Sequence, residues 1–527
     1  MTVNRKPLYA PHGVVATSQP LAASAGLAVL RRGGNAVDAA LATAITLTVV
    51  QPGSNDIGGD LFAIVWDGTA LHGLNASGRS PAALTLDAAQ SSAAPGGGTM
   101  SVRGWLPVTV PGAPAGWRDL HARFGRLPFA DLFADAVGYA ADGYPVSPRV
   151  AHNWRRGVEI HAGLRGPEFA EWGAVFTRDG RAPAAGELFR NPAAARTLQL
   201  IADSAAEEFY RGEIGVAMAA HAAATGGLLT KDDLARYAST WVQPIRTGYR
   251  GYDVWELPPN GQGIAALLAL AILDGVDVSA MPAPQRRHWQ IEAMKLAFAD
   301  AHAYVADPDA APVPVAGLLS PGYAQRRRTL IGETAALPGP GRPAQGGTVY
   351  LCAADADGLM VSLIQSNYMG FGSYVAVPGY GFGLQNRGVG FSLSPGHPNV
   401  VAGGKRPYNT IIPGFLTRDG RPVGPFGVMG GHMQPQGHLQ LVMSTVDDGL
   451  DPQAALDAPR WYWHTGRQLR VEPALGTAAA DDLRRRGHEV TVDESDVYGY
   501  GQAIWCLPDG GYVAGSEPRA DGCAAGY

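Results

Sequence analysis

Residues 342–366 read RPAQGGTVYLCAADADGLMVSLIQS, and within them Gly346 and Gly347 lead directly into Thr348, where strand-forming residues begin. Taken alone, a threonine in a strand needs no chemical role, because β-branched residues favour pleated surfaces. The Gly347-Thr348 pair admits a sharper reading. The threonine hydroxyl can attack the preceding carbonyl, which glycine leaves unhindered and free to take unusual geometry. Cleavage there would free the α-amine of Thr348, and a threonine with its own amine as base is an activated nucleophile. Its methyl group restricts χ1 and helps hold the oxygen in place.

The elements that would position this hydroxyl are legible nearby. Asp355 to Gly358, DADG, is a strong turn signal between two strand runs, so 348–366 reads as a hairpin. Pairing Ala354 with Leu359 sets Thr348 opposite Gln365, with Ser366 just beyond, a second hydroxyl delivered by register. The stretch from 335 to 347 is the one convincing linker.

The rest of the chain bounds the possibilities. With 527 residues it can bury a large core, and a formal net charge of −5 without basic runs argues against nucleic acid as a partner. Three cysteines, Cys352, Cys506 and Cys523, are too few and too scattered for a disulfide framework or a zinc site. The apolar runs 39–50 and 263–273 are too short to span a membrane, and the N-terminus lacks the apolar core of a secretory signal, so a cytoplasmic location is expected. His432 and His438 bracket MQPQG and His464 follows RWYW; six residues do not return to one helix face, so these read as loop or core histidines and no metal or cofactor is expected. GYGFGLQNRG is followed by strand and turn signals, which removes the context a nucleotide loop needs.

Strand and helix alternate over 13–66, helical periodicity dominates from about 110 to 310 with one strand run at 246–259, and strands return from 348. No internal repeat is visible. The pattern is that of a large α+β body of helix-covered sheets.

Six ordered blocks make the chain resemble the γ-glutamyltransferase family of N-terminal nucleophile hydrolases. They are GGNAVDAALATAITLTVVQPGSNDIGGDLFAIV (33–65), ASGRSP (76–81), LPPNGQGIAALLALAILDG, EAMKLAFADAHAYVADP, GGTVYLCAADADG and FGVMGGHMQPQGHLQ. The resemblance implies a four-layer αββα sandwich, made as a precursor and cut into a large subunit, 1–347, and a small one, 348–527. These would form a heterodimer, with a dimer of such pairs left open. It implies Thr348 as nucleophile, Ser366 as the hydroxyl near its amine, and the Gly430–Gly431 pair as the oxyanion hole, a role that suits glycine because donors must approach closely. Arg79 matches the ligand of the substrate α-carboxylate, with a planar fork suited to it. Asn409 and Thr410 fall where the family places two supporting serines.

The departures shape the substrate reading. Arg387 and Gly390 stand where the family carries the residues that hold the substrate α-ammonium, and Tyr368 stands at a further amine-contacting asparagine. A guanidinium repels an ammonium, so the carboxylate half of γ-glutamyl recognition is kept while the amine half is lost. Combining Arg387→Gln with Gly390→Asp is expected to raise γ-glutamyl turnover. The resemblance thus points to acyl transfer, mainly to water, from a small-molecule amide bearing a carboxylate. The substrate is either a γ-glutamyl compound such as glutathione or an analogue without the α-amine, the latter as in oxamate-type amidohydrolases and glutaryl- or cephalosporin-type acylases. A non-catalytic interaction protein on the same fold is the remaining alternative.

Overall fold

The computed structural model describes residues 5–93, 99–337 and 347–527. Its frame is a pair of seven-stranded antiparallel sheets. One runs Cys523–Gly526, Val14–Thr17, Gly347–Ala354, Met360–Tyr368, Asp60–Trp66, Leu71–Ala76 and Thr240–Val242 in spatial order. The other runs Leu8–Ala10, Tyr512–Ser516, Tyr500–Cys506, Arg421–Met429, Gly414–Arg418, Tyr252–Glu256 and Ile245–Tyr249.

Side-chain alternation builds the layers. Successive strand residues point to opposite faces, and here both faces are apolar. Leu61, Ala63, Val65, Val349, Leu351 and Ala353 pack on helices that include Pro20–Arg31 and Ala36–Val50. Their neighbours Phe62, Ile64, Tyr350 and Cys352 point the other way and meet Phe415, Met429 and Ile504 of the second sheet. The outer face of that sheet, with Phe426, Val428 and Trp505, is covered by Gly263–Asp274, Ala283–Tyr304 and Met433–Val446. Helices, sheet, sheet and helices follow in that order, the expected αββα sandwich.

The helix Ala36–Val50 is buried at every position and starts with a capping box between Asn35 and Asp38, satisfying end donors that a buried helix cannot leave bare. The run at 246–259 is a hairpin of two strands, where the sequence suggested one. Outside the sandwich, Trp461–Thr465, Gln468–Val471 and Glu489–Val492 form a small sheet that sequence reading missed. No helix among the described residues is long and apolar enough to cross a membrane.

The 347/348 division passes through a sheet, because Gly347–Ala354 lies between Val14–Thr17 and Met360–Tyr368. The upstream part of the expected linker is anchored. Glu292 accepts the Ala336 N–H (3.1 Å), Lys295 donates to the Ala336 carbonyl (2.5 Å), and the Ala335 N–H donates to the Arg486 carbonyl (2.7 Å). Residues 338–346 lie outside the described set. His288, Glu292 and His488 bring ligand-capable atoms within 4.8 Å of one another, but Lys295 Nζ holds the Glu292 carboxylate at 2.6 Å. The histidines weighed from sequence lie elsewhere: His438 is bonded to Glu256 (2.6 Å) with both fully buried, and His432 packs against Phe298 and His302. Burial, with His302 and His464 nearby, pushes the His432 pKa well below the usual imidazole value.

Candidate active site

Thr348 is fully buried, and its Oγ1 lies 3.0 Å from Ser366 Oγ. The register that places them differs by one residue from the expected one. Ala354 pairs with Met360 and Val349 with Gln365, so Ser366 is the residue opposite Thr348, across a bulge between Gly347 and Val349. The cause is Asp355. Its Oδ1 accepts the N–H groups of Asp357 (2.9 Å) and Leu359 (3.1 Å) and its own N–H donates to the Leu359 carbonyl (3.2 Å), so Leu359 pairs with Asp355 and Met360 falls opposite Ala354.

Ser366 is in turn the ladder partner of Asp60. Phe62 and Ile64, of the same parity as Asp60, face the inter-sheet layer, as do Ile364 and Tyr350. Thr348, Ser366 and Asp60 therefore form a polar row on neighbouring strands at one end of the inter-sheet core. Tyr368 closes the strand with φ +75°, a left-handed conformation uncommon for a residue with Cβ, and its N–H donates to Ser366 Oγ (2.7 Å).

Asp60 holds the residues expected to bind substrate. Arg387 donates from Nε (2.9 Å) and Nη2 (3.0 Å) to the two Asp60 oxygens, and from Nη1 to Thr410 Oγ1 (2.8 Å). Asn409 Nδ2 donates to Asp60 Oδ2 (2.8 Å). Asp60 and Arg387 have fully buried side chains, and the guanidinium lies 4.5 Å from the centroid of the Tyr368 ring. Burial pushes the Tyr368 pKa up, opposed by that charge.

Asp60 neutralises Arg387, which removes the ground for the expected charge repulsion of an ammonium. The pairing also removes the ground for combining Arg387→Gln with Gly390→Asp, which would strip Asp60 of its partner. A Cβ at Gly390 would lie 2.3 Å from the Tyr408 carbonyl oxygen, so an aspartate there needs the backbone to move. Arg79 stands apart from this cluster: it donates to Asp307 (2.8 Å), Asp309 (2.5 Å) and the Gly404 carbonyl (3.1 Å).

Gly430 (φ +134°) and Gly431 (φ +60°) form the turn between the strand Arg421–Met429 and the helix Met433–Val446. Their carbonyls accept from Met433 (3.0 Å) and Gln434 (3.2 Å), while their own N–H groups have no acceptor among the described residues. Two backbone donors at a helix N-terminus suit developing negative charge. Gln262, which sequence reading did not single out, ties this turn to Thr410: its Nε2 donates to the carbonyls of Gly431 (2.9 Å) and Thr410 (2.6 Å).

Gly430 also lines a cleft of about 1010 Å³, with Ser54, Arg103, Met369, Tyr374 and Tyr462 among its walls. Asp56 accepts the N–H groups of Gly383 (2.9 Å) and Ile57 (2.8 Å), yet burial dominates and pushes its pKa up to about 8. Because the folded value exceeds the ordinary one of 3.8, this group's contribution to stability is complete below pH 3.8 and is lost as pH rises through 8. The wild type should therefore lose up to about 1.4 kcal/mol per pH unit from this group across that window, and Asp56→Asn should remove that part of the slope. Denaturant titrations of both proteins at pH 5 and pH 8.5 check it; identical slopes would refute the assignment.

The gamma-glutamyltranspeptidase family description matches residues 22–527. Among curated relatives, the chain is 36% identical to a glutathione hydrolase-like YwrD proenzyme of Bacillus subtilis, covering 97% of this chain and 98% of that one. It is 35% identical to an oxamate amidohydrolase proenzyme of Klebsiella pneumoniae, covering 98% of each. The structure of a cephalosporin acylase from Bacillus halodurans superposes with a TM-score of 0.96 at 51% identity, over 100% of this chain and 98% of that one. Sandwich and neighbours together define an N-terminal nucleophile hydrolase fold. The chain belongs to the gamma-glutamyltranspeptidase family, and it is an enzyme of that family's hydrolase and acylase kind.

Proposed function

We propose that the protein is a self-processed N-terminal threonine amidohydrolase acting on amides that bear a carboxylate and lack an α-amine. The observation that carries this is Thr348 Oγ1 facing Ser366 Oγ directly after Gly347, at the start of an inner strand.

In processing, Thr348 Oγ attacks the Gly347 carbonyl carbon, the C–N bond breaks as the nitrogen gains the hydroxyl proton, and water hydrolyses the resulting ester. The products are a Gly347 carboxylate and a free Thr348 α-amine, on 347- and 180-residue fragments that stay together as a heterodimer. In turnover, the α-amine takes the Oγ proton as Oγ attacks the substrate amide, then passes it to the leaving nitrogen. Gly430 and Gly431 N–H groups stabilise the oxyanion. Water, deprotonated by the same amine, releases the acyl group as a carboxylic acid.

The substrate class is supported by Arg387, paired with Asp60, at the position where the resemblance puts an ammonium ligand, and by relatives named for oxamate amidohydrolysis and cephalosporin acylation. An intact-mass spectrum under denaturing conditions tests processing: scaling 55.0 kDa by residue number gives fragments of about 36 and about 19 kDa, the smaller beginning at Thr348. Turnover of glutaryl against γ-glutamyl p-nitroanilide then tests the substrate class, and faster γ-glutamyl turnover would overturn it. A single uncut species without turnover would favour the interaction-protein reading.

A further inference from the structure

Three arginines line the cleft: Arg103, Arg156 and Arg470. Two are spent on carboxylates, Arg156 on Asp496 at 3.0 Å and Arg470 on Asp493 at 2.9 Å. Arg103 has no carboxylate partner among the described residues, and the residues outside that set include no Asp or Glu. Its side-chain hydrogen bonds to described acceptors all leave from Nη1, to the carbonyls of Gly372 (2.9 Å), Val102 (3.3 Å) and Met369 (3.4 Å). None leaves from Nε or Nη2 to a described acceptor. With Nη1 engaged, the Nε–Nη2 edge is left to match the two oxygens of a carboxylate.

The side chain is also fixed in place. Its guanidinium lies 4.8 Å from the centroid of the Tyr374 ring, a residue with no exposed surface whose buried hydroxyl has no hydrogen-bond partner among the described residues. Asn386 pins the neighbouring backbone, donating to the Val102 carbonyl (2.9 Å) and accepting the Met369 N–H (3.1 Å). Arg103 is thereby tied to the residues that adjoin Arg387 and Tyr368, and it shares the cleft with Gly430. The arginine expected from sequence to bind the substrate carboxylate, Arg79, is instead neutralised by Asp307 and Asp309.

We propose that Arg103 is the specificity residue of this site, its Nε–Nη2 edge taking the carboxylate of the amide substrate in place of Arg79. The inference rests on the amidohydrolase reading for the role of that carboxylate, but binding alone tests it. Calorimetric titration of the purified protein with glutarate and with neutral glutaramide separates charge recognition from shape. Arg103→Met, which keeps the apolar stem, is expected to weaken glutarate binding about 10- to 100-fold and glutaramide less than about twofold. Arg103→Lys should fall between, because a point charge cannot bridge both oxygens. Unfolding midpoints of both variants within a few degrees of wild type exclude a folding defect, and Arg103→Lys carries the test should the methionine variant fail to fold.

Unchanged glutarate affinity in both variants, an equal loss for both ligands, or no glutarate binding by the wild type would overturn the proposal. Binding needs no nucleophile, so the two readings fail separately. An uncut, inactive chain that still discriminates glutarate through Arg103 would refute the amidohydrolase reading alone. A processed, active chain indifferent to Arg103→Met would refute this one alone.

Discussion

Thr348→Ala is expected to remain a single chain of 55.0 kDa and to lose amide turnover by roughly four orders of magnitude or more. Both losses follow from one missing oxygen, since the same Oγ is proposed to attack first the Gly347 carbonyl and then the substrate. The fold should be little affected: Thr348 stands at one end of the inter-sheet layer with its hydroxyl against Ser366, and alanine removes only that hydroxyl and one methyl. Thr348→Ser is the informative partner. It keeps the oxygen but loses the methyl that restricts χ1, so it should still be cut, more slowly, and retain measurable turnover. Intact mass followed over time and hydrolysis of a carboxylate-bearing anilide give the two readouts. A cut or active alanine variant would end the proposed mechanism. A serine variant as dead as alanine would mean that strand geometry at 348, and not the hydroxyl, had been disturbed.

The second large effect is at Asp60. Asp60→Asn is expected to destabilise the protein by about 3–5 kcal/mol, because it leaves the Arg387 guanidinium without its counter-charge in a fully buried site. Asparagine offers one acceptor where the carboxylate serves Arg387 twice and Asn409 once. Removing both charges in Asp60→Asn with Arg387→Met should cost less than the sum of the single changes, since neither partner is then left buried and unpaired. A denaturant double-mutant cycle measures this, and additive losses would show that the pair is not coupled. Processing should also slow in Asp60→Asn, because Asp60 is the ladder neighbour of Ser366.

Much of the frame was readable because it is local. The Asp355–Gly358 turn signal, Gly347 before Thr348 and the Gly430–Gly431 turn each depend on a few adjacent residues, and all sit at the ends of strands or helices as expected. The alternation that builds the sandwich is local too, but it was hidden. Strands such as Asp60–Trp66 are buried on both faces, so no polar residue marks which side meets helices and which the other sheet. The register of the hairpin escaped for a subtler reason: Asp355 pairs with Leu359 through its own N–H and its carboxylate, and the sequence does not mark whether Ala354 or Asp355 closes the turn.

The amino-acid sequence by itself determined the family, the likeness of Gly347-Thr348 to a self-cleavage point and the presence of a hydroxyl at Ser366, since each is a matter of residue type at short spacing. Only the tertiary structure decided which charges are free. Arg387 meets Asp60 across 327 residues and Arg79 meets Asp307 across 228, whereas Arg103 meets carbonyls and an aromatic ring but no acid. A charge's availability depends on what burial and distant chain segments bring against it, and no local pattern carries that information.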